Sequence, residues 1–182
     1  MPDRVSPLAD IALQGRFGAD KGAPGVELSV RHPVSIIAII ARHGKAKALK
    51  AALDRMTGCA ILWAGAEQYY AVADGMAEAE LYAELKARLN VLASVSDQSH
   101  GRVTLRISGP KARNVLVKGT PVDLDAKEFP IGKSAATQMA HVGVHLTRTG
   151  EDAFELSVFR GFATSFWEWL TEQSEEFGYQ VR

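Results

Sequence analysis

Five histidines, one cysteine and 21 acidic side chains are the groups from which a metal, nucleophilic or acid–base site would be built. His141 and His145 are four apart, a spacing that on a helix puts two imidazoles on one metal. The residues between them alternate, with Val142, Val144 and Leu146 against polar neighbours, which predicts a strand. There the same spacing separates the two by about 13 Å, too far for one ion, and no His-Glu-x-x-His pattern exists. Cys59 stands in Cys59-Ala60-Ile61-Leu62-Trp63 with no histidine near it in sequence, as expected of a buried structural thiol rather than a nucleophile. No Gly-x-Ser-x-Gly elbow is present. Gly15-Arg16-Phe17-Gly18 and Ala64-Gly65-Ala66 have neither phosphate-loop spacing and read as turns. Residue types and spacing therefore assign no catalytic, cofactor-binding or metal residue. Arg42, Lys45, Lys47, Lys50 and Arg55, with only Asp54 against them, read as a solvated helix face, the alternative being a surface for an anion or acidic partner. Trp167 and Trp169 are two apart and diverge by about 200° on a helix, so both cannot enter one core. At least one is expected to be exposed or to meet a partner, since tryptophan is enriched among interface anchors. With Trp63 they are the candidate partner-interface residues.

The elements follow from periodicity. Residues 1–24 carry Pro2, Pro7, Pro24 and three glycines among little pattern, with Gly25 following, and read as an arm ordered only if something holds it. Val26–Arg31 alternates as a half-buried strand, and Val34–Ala41 is continuously apolar, as for a strand buried on both faces. Lys45–Met56 is a helix with Leu49, Ala52, Leu53 and Met56 on one face, stopped by Gly58. Cys59–Trp63 and Gln68–Ala73 form a hairpin. A helix over Met76–Asn90 has a leucine seam, and Val91–Val95 returns as a strand. The second half has a strand over Arg102–Ser108, a helix opened by Gly109-Pro110, one strand over Ala136–Thr147, another over Phe154–Phe159, and a last helix over Phe162–Glu176 with Phe162, Phe166, Leu170 and Phe177 near one stripe. The order βαββαβ, then βαββα, is two split βαβ units in tandem. The alternating strands predict an α+β class, mainly antiparallel, with helices on one side.

Composition bounds the class. The chain has 182 residues, 47% hydrophobic and 23% charged, which places it among globular rather than disordered sequences. Lys+Arg and Asp+Glu are both 21, so the net charge is zero with neutral histidines. That removes the electrostatic case for nucleic acid. The longest strongly apolar run, Ile36–Ala41, is far short of the roughly 20 residues a membrane-spanning helix needs. Met1-Pro2-Asp3-Arg4-Val5 does not start a secretory signal. A lone cysteine excludes an internal disulfide and multi-cysteine zinc modules, and a reducing cytoplasm is the expected compartment.

Several motifs carry a family resemblance in order and spacing: Trp63-Ala64-Gly65-Ala66-Glu67-Gln68-Tyr69; Val95-Ser96-Asp97-Gln98-Ser99; Ile107-Ser108-Gly109-Pro110-Lys111-Ala112-Arg113; Lys118-Gly119-Thr120-Pro121-Val122-Asp123-Leu124-Asp125; Phe129-Pro130-Ile131-Gly132; and Arg160-Gly161-Phe162-Ala163 with the aromatic helix ending in Glu176-Phe177-Gly178. Over about residues 25–178 the chain resembles the gamma subunits of heterotetrameric sarcosine oxidases. These are similar in turn to the folate-binding N-terminal domain of the glycine-cleavage T protein, an aminomethyltransferase. The resemblance implies two tandem ferredoxin-like repeats, halves about 25–98 and 99–182 of a single domain over 25–182 that follows the arm. It implies a non-catalytic scaffold subunit among alpha, beta and delta partners, in a complex that demethylates sarcosine oxidatively to glycine. Hydrogen peroxide is released and the one-carbon unit passes to tetrahydrofolate. FAD, FMN, NAD, tetrahydrofolate and zinc are expected on the partner subunits. The aminomethyltransferases carry an Asn-x-x-Gly-Gly-x-x-Asp-Asp stretch with an aspartate near folate. Here the corresponding run is His141-Val142-Gly143-Val144-His145-Leu146-Thr147-Arg148, without aspartate or glycine pair, which argues against aminomethyl transfer by this chain alone. The alternative is a stand-alone folate or small-molecule binder with Asp97 or His100 near a pocket. Against it, Asp97 is of a type and place to make a turn after a strand.

Overall fold

The computed structural model describes residues 5–19 and 22–182. In chain order its strands are β1 (Gly15–Phe17), β2 (Val26–Arg31), β3 (Ser35–Ala41), β4 (Ala60–Gly65), β5 (Gln68–Ala73), β6 (Ala93–Asp97), β7 (Arg102–Ser108), β8 (Ser134–Met139), β9 (Val142–Gly150), β10 (Ala153–Phe159) and β11 (Tyr179–Val181). The helices are α1 (Ala46–Leu53), α2 (Glu78–Leu89), α3 (Ala112–Leu116) and α4 (Ala163–Ser174). This is the expected α+β class. The chain divides into two compact units, Pro33–Arg102 and the remainder, 1–32 with 103–182.

The unit over 33–102 holds a four-stranded antiparallel sheet of order β4-β5-β3-β6. The seam of α2 buries Leu81, Leu85 and Leu89, and α1 buries Leu49 and Leu53. Both close on Ile37 and Ile39 of β3 and on Ala71 and Ala73 of β5. The other face of β3 and β5 is covered less evenly. Val34, Ile36 and Val72 make a small separate cluster with Leu62 and Tyr70, but Ile40 is 48% exposed. The expectation that β3 is buried on both faces along its length thus holds for its first half only.

The other unit is built on a seven-stranded sheet of order β1-β11-β2-β7-β10-β9-β8. One face packs Leu28, Leu105, Ile107, Leu146, Leu156 and Val158 with α3, α4 and the side chains Leu124 and Phe129 of the long connection. The opposite face is polar. Arg31 and Glu155 pair there at 2.9 Å, and the Ser134 and Thr147 hydroxyls lie 2.9 Å apart.

Four expectations change. First, residues 136–147 are not one strand. β8 and β9 form a hairpin in register Met139↔Val142, turned by Ala140 and His141 at φ 51° and 65°. Two positive φ values across a two-residue loop are the type I′ geometry that matches strand twist. Neither residue is a turn former, so the pattern gave no signal. Second, β1 and β11 were not expected. They are three residues each, too short to show alternation, and exist through pairing: β11 runs antiparallel to β1 and parallel to β2. That pairing, with the fully buried Leu8, holds the described part of the 1–24 arm. The leader reading of residues 1–4 lies outside the described residues, as do Asp20 and Lys21. Third, a 3-10 turn over Arg160–Phe162 precedes α4, which leaves Phe162 51% exposed instead of on the core stripe. Fourth, the sheets do not follow two equal halves. β2, expected in the first, lies between β11 and β7, because its alternating face completes the core of the larger sheet.

Candidate functional site

Asp97 and His100 come at the end of β6. The Ser99 backbone N–H donates to Asp97 Oδ1 at 2.8 Å, closing an Asx turn. The turn delivers Ser99 to the interior, where its Oγ accepts from the Ile36 N–H at 2.9 Å. The Gln98 N–H donates to the Ile36 carbonyl at 2.8 Å. Asp97 is thus occupied in docking a turn onto β3. His100 is exposed, with Nε2 3.2 Å from Glu78 Oε1. Nothing in this geometry aims a carboxylate or imidazole at a pocket.

The remaining candidates are scattered. His141 is exposed at the β8–β9 turn, while His145 is buried in β9 opposite Ser157. Among the described residues no group of three His, Cys, Asp or Glu side chains is gathered closely enough to hold a metal ion. The Cys59 thiol is half-buried, and its pKa is pushed above the ordinary thiol value, first by burial and then by the Glu84 carboxylate, with Arg88 acting against them. A raised pKa keeps the thiol protonated and a poor nucleophile.

The three tryptophans separate. Trp167 is 5% exposed and part of the core of the larger unit, which removes it as an anchor. The 3.6-residue turn does splay the pair, as expected, but Trp169 is not sent to open solvent. It is half-buried, tilts against Phe166 with centroids 5.6 Å apart, and lies over Gly119, where a Cβ would come within 2.4 Å of the indole. Only backbone fits beneath that ring. Trp169 also lines a cleft of about 590 Å³ whose wall includes Lys118, Gln138, His141 and Ser165. Sequence reasoning missed this cleft because its lining comes from three separate segments, 118–121, 138–142 and 165–169. The Lys118 ammonium is engaged by Glu176 and by the Gln173 carbonyl, so it does not present a free charge. Trp63 is 48% exposed on β4, an outermost strand of the smaller sheet.

One cluster not anticipated is structural. Arg148 is 4% exposed and donates to three carbonyls: Nη1 to Phe129 at 2.9 Å, Nη2 to Glu151 at 2.7 Å and Nε to Gly150 at 3.0 Å. It ties the long connection to the β9–β10 turn. A planar fork of donors on three acceptors is what guanidinium offers and ammonium does not.

Comparison with known proteins gives a consistent set. The sarcosine oxidase subunit gamma of Corynebacterium sp. (strain P-1) is 37% identical over 122 residues, covering 66% of this chain and 59% of that one. The chain thus spans about six-tenths of that relative's length. The heterotetrameric sarcosine oxidase from Corynebacterium sp. U-96, solved with pyrrole 2-carboxylate, contains a chain 28% identical to this one. It superposes with a TM-score of 0.82, covering 96% of both chains. The glycine cleavage system aminomethyltransferase T from Bartonella henselae shares the fold, with a TM-score of 0.60 over 84% of this chain and 47% of that one at 22% identity. The family model of the GCVT N-terminal domain matches residues 57–181, well over half of the sequence, and with α3, α4 and the strands β5 to β11 all inside that match, this chain belongs to the GCVT N-terminal domain family.

Proposed function

We propose that this chain is the gamma-type subunit of a heterotetrameric sarcosine oxidase, a scaffold that supports the oxidative demethylation of sarcosine without supplying a catalytic residue. The observation that carries the reading is the 96% mutual coverage with a chain of a solved heterotetrameric sarcosine oxidase. Residue geometry supports the non-catalytic part: Asp97 is committed to its turn, His100 is solvent-facing, and the Cys59 thiol is held protonated. On this reading, alpha, beta and delta subunits hold the flavins, NAD, folate and zinc, and the one-carbon unit passes to tetrahydrofolate there. The compartment is the cytoplasm.

The test is affinity purification of the chain from its own cells grown on a methylated glycine, with the visible spectrum recorded. A yellow complex of four polypeptides that turns over sarcosine is the expected result. A colourless chain recovered alone defeats the proposal. Titration of that chain with tetrahydrofolate would then decide whether it is a stand-alone folate binder.

A further inference from the structure

The cleft beside Trp169 carries hydrogen-bonding groups that the fold leaves unused. It lies wholly within the larger unit, and its volume of about 590 Å³ is in the range of small-molecule sites. Its platform is fixed: the Trp169 indole is held against Phe166 and over the bare Cα of Gly119. An aromatic ring held still is a stacking surface that costs little entropy to use. Around it stand Gln138, His141 and Ser165. Among the described residues neither the Gln138 amide nor the His141 imidazole has a hydrogen-bond partner. The Ser165 hydroxyl donates to the Phe162 carbonyl at 3.2 Å, which leaves its lone pairs free to accept. His141 stands in the wall at φ 65°, a strained conformation of the kind that concentrates at ligand sites. Charge is balanced. Glu176 neutralises Lys118, and among the described residues no carboxylate lines the wall.

We infer that this cleft binds a neutral aromatic carboxamide, its ring stacked on Trp169 and its amide paired with Gln138. The Gln138 side chain presents N–H and C=O side by side, and a primary carboxamide answers with C=O and N–H in a reciprocal pair. The second N–H of the ligand finds an acceptor in Ser165 Oγ, and its second carbonyl lone pair finds a donor in a ring N–H of His141. A carboxylate of the same shape brings acceptors only. It would face the Gln138 carbonyl without a proton between them and would meet no free cation. The inference stands apart from the subunit reading, which neither requires nor forbids a ligand here.

The test titrates the full chain with benzamide, and with benzoate and benzamidine as its anionic and cationic counterparts. The indole N–H resonance of Trp169, assigned by its loss in Trp169→Phe, is followed by NMR. Benzamide is expected to move that resonance with a dissociation constant of about 1 mM, as suits a fragment of its size. Benzoate is expected to bind about tenfold more weakly or less. Gln138→Leu removes the pairing amide and is expected to weaken benzamide about tenfold, the worth of two neutral hydrogen bonds. Gln138→Glu keeps the shape and is expected to exchange the preference, so that benzamidine binds more tightly than benzamide, because a carboxylate takes an amidinium in two charge-assisted bonds. Gln138 is exposed, so circular dichroism and melting temperature of both variants should match those of the unaltered chain. A Trp169 resonance that does not move at about 20 mM benzamide overturns the inference. So does equal affinity for benzamide and benzoate, and so does unchanged benzamide affinity in both folded Gln138 variants. Each of these results leaves the subunit reading standing.

Discussion

Asp97 and Arg148 show how a side chain of catalytic type can be wholly engaged in structure. Asp97→Ala removes one neutral-to-charged hydrogen bond in an Asx turn, so a loss of about 1 kcal/mol is expected. That is a fall in melting temperature of about 2–4 °C for a chain of this size. Sarcosine turnover of the assembled complex should stay within a few-fold, and a hundredfold loss with assembly intact would make Asp97 functional. Arg148→Met removes the donor to the buried Phe129 carbonyl and two part-buried bonds to Gly150 and Glu151, and a loss of about 2–3 kcal/mol should appear in urea unfolding. Cys59 gives a pH-dependent prediction. Its pKa is raised in the folded state, so folding favours the neutral thiol. That stability is complete below the ordinary thiol pKa and is lost as pH rises through the folded value. Alkylation at mildly alkaline pH should be slower than for a free thiol and accelerate only at higher pH. A rate equal to that of free cysteine would contradict the burial effect.

Elements were legible where burial imposes a period. The α2 seam of Leu81, Leu85 and Leu89 and the alternation of β2, β7 and β10 each reach the core as their spacing required. The β8–β9 turn was illegible for a stated reason: Ala140 and His141 adopt positive φ that their side chains disfavour, and the core face of Met139, Val142 and Val144 outweighs that cost. Replacing Ala140-His141 by Asn-Gly, the pair that type I′ geometry favours, should therefore raise stability by about 1 kcal/mol. A calorimetric midpoint that falls instead would mean the turn is fixed by contacts of His141. β1 and β11 were illegible because three residues have no period. The cleft beside Trp169 was illegible because Gly119 and Trp169 are 50 residues apart along the chain, and only the fold brings a bare Cα beneath an indole.

At the scale of the molecule, the sequence order suggested one repeat after another, whereas the larger unit draws residues from both sides of the smaller one. Seven strands meet in a sheet whose β11 sits between β1 and β2. This arrangement bears on the birth of the chain at the ribosome. The unit over 33–102 is contiguous and can complete its core while synthesis continues. The early strand β2 must wait for β7 on one side and for residues 179–181 on the other before it is paired on both edges. A nascent chain stalled before Tyr179 would hold a finished small unit and a β2 that β7 can pair on one edge but that stays open on the other, exposed to the pairing errors and chaperone capture that unsatisfied strands attract.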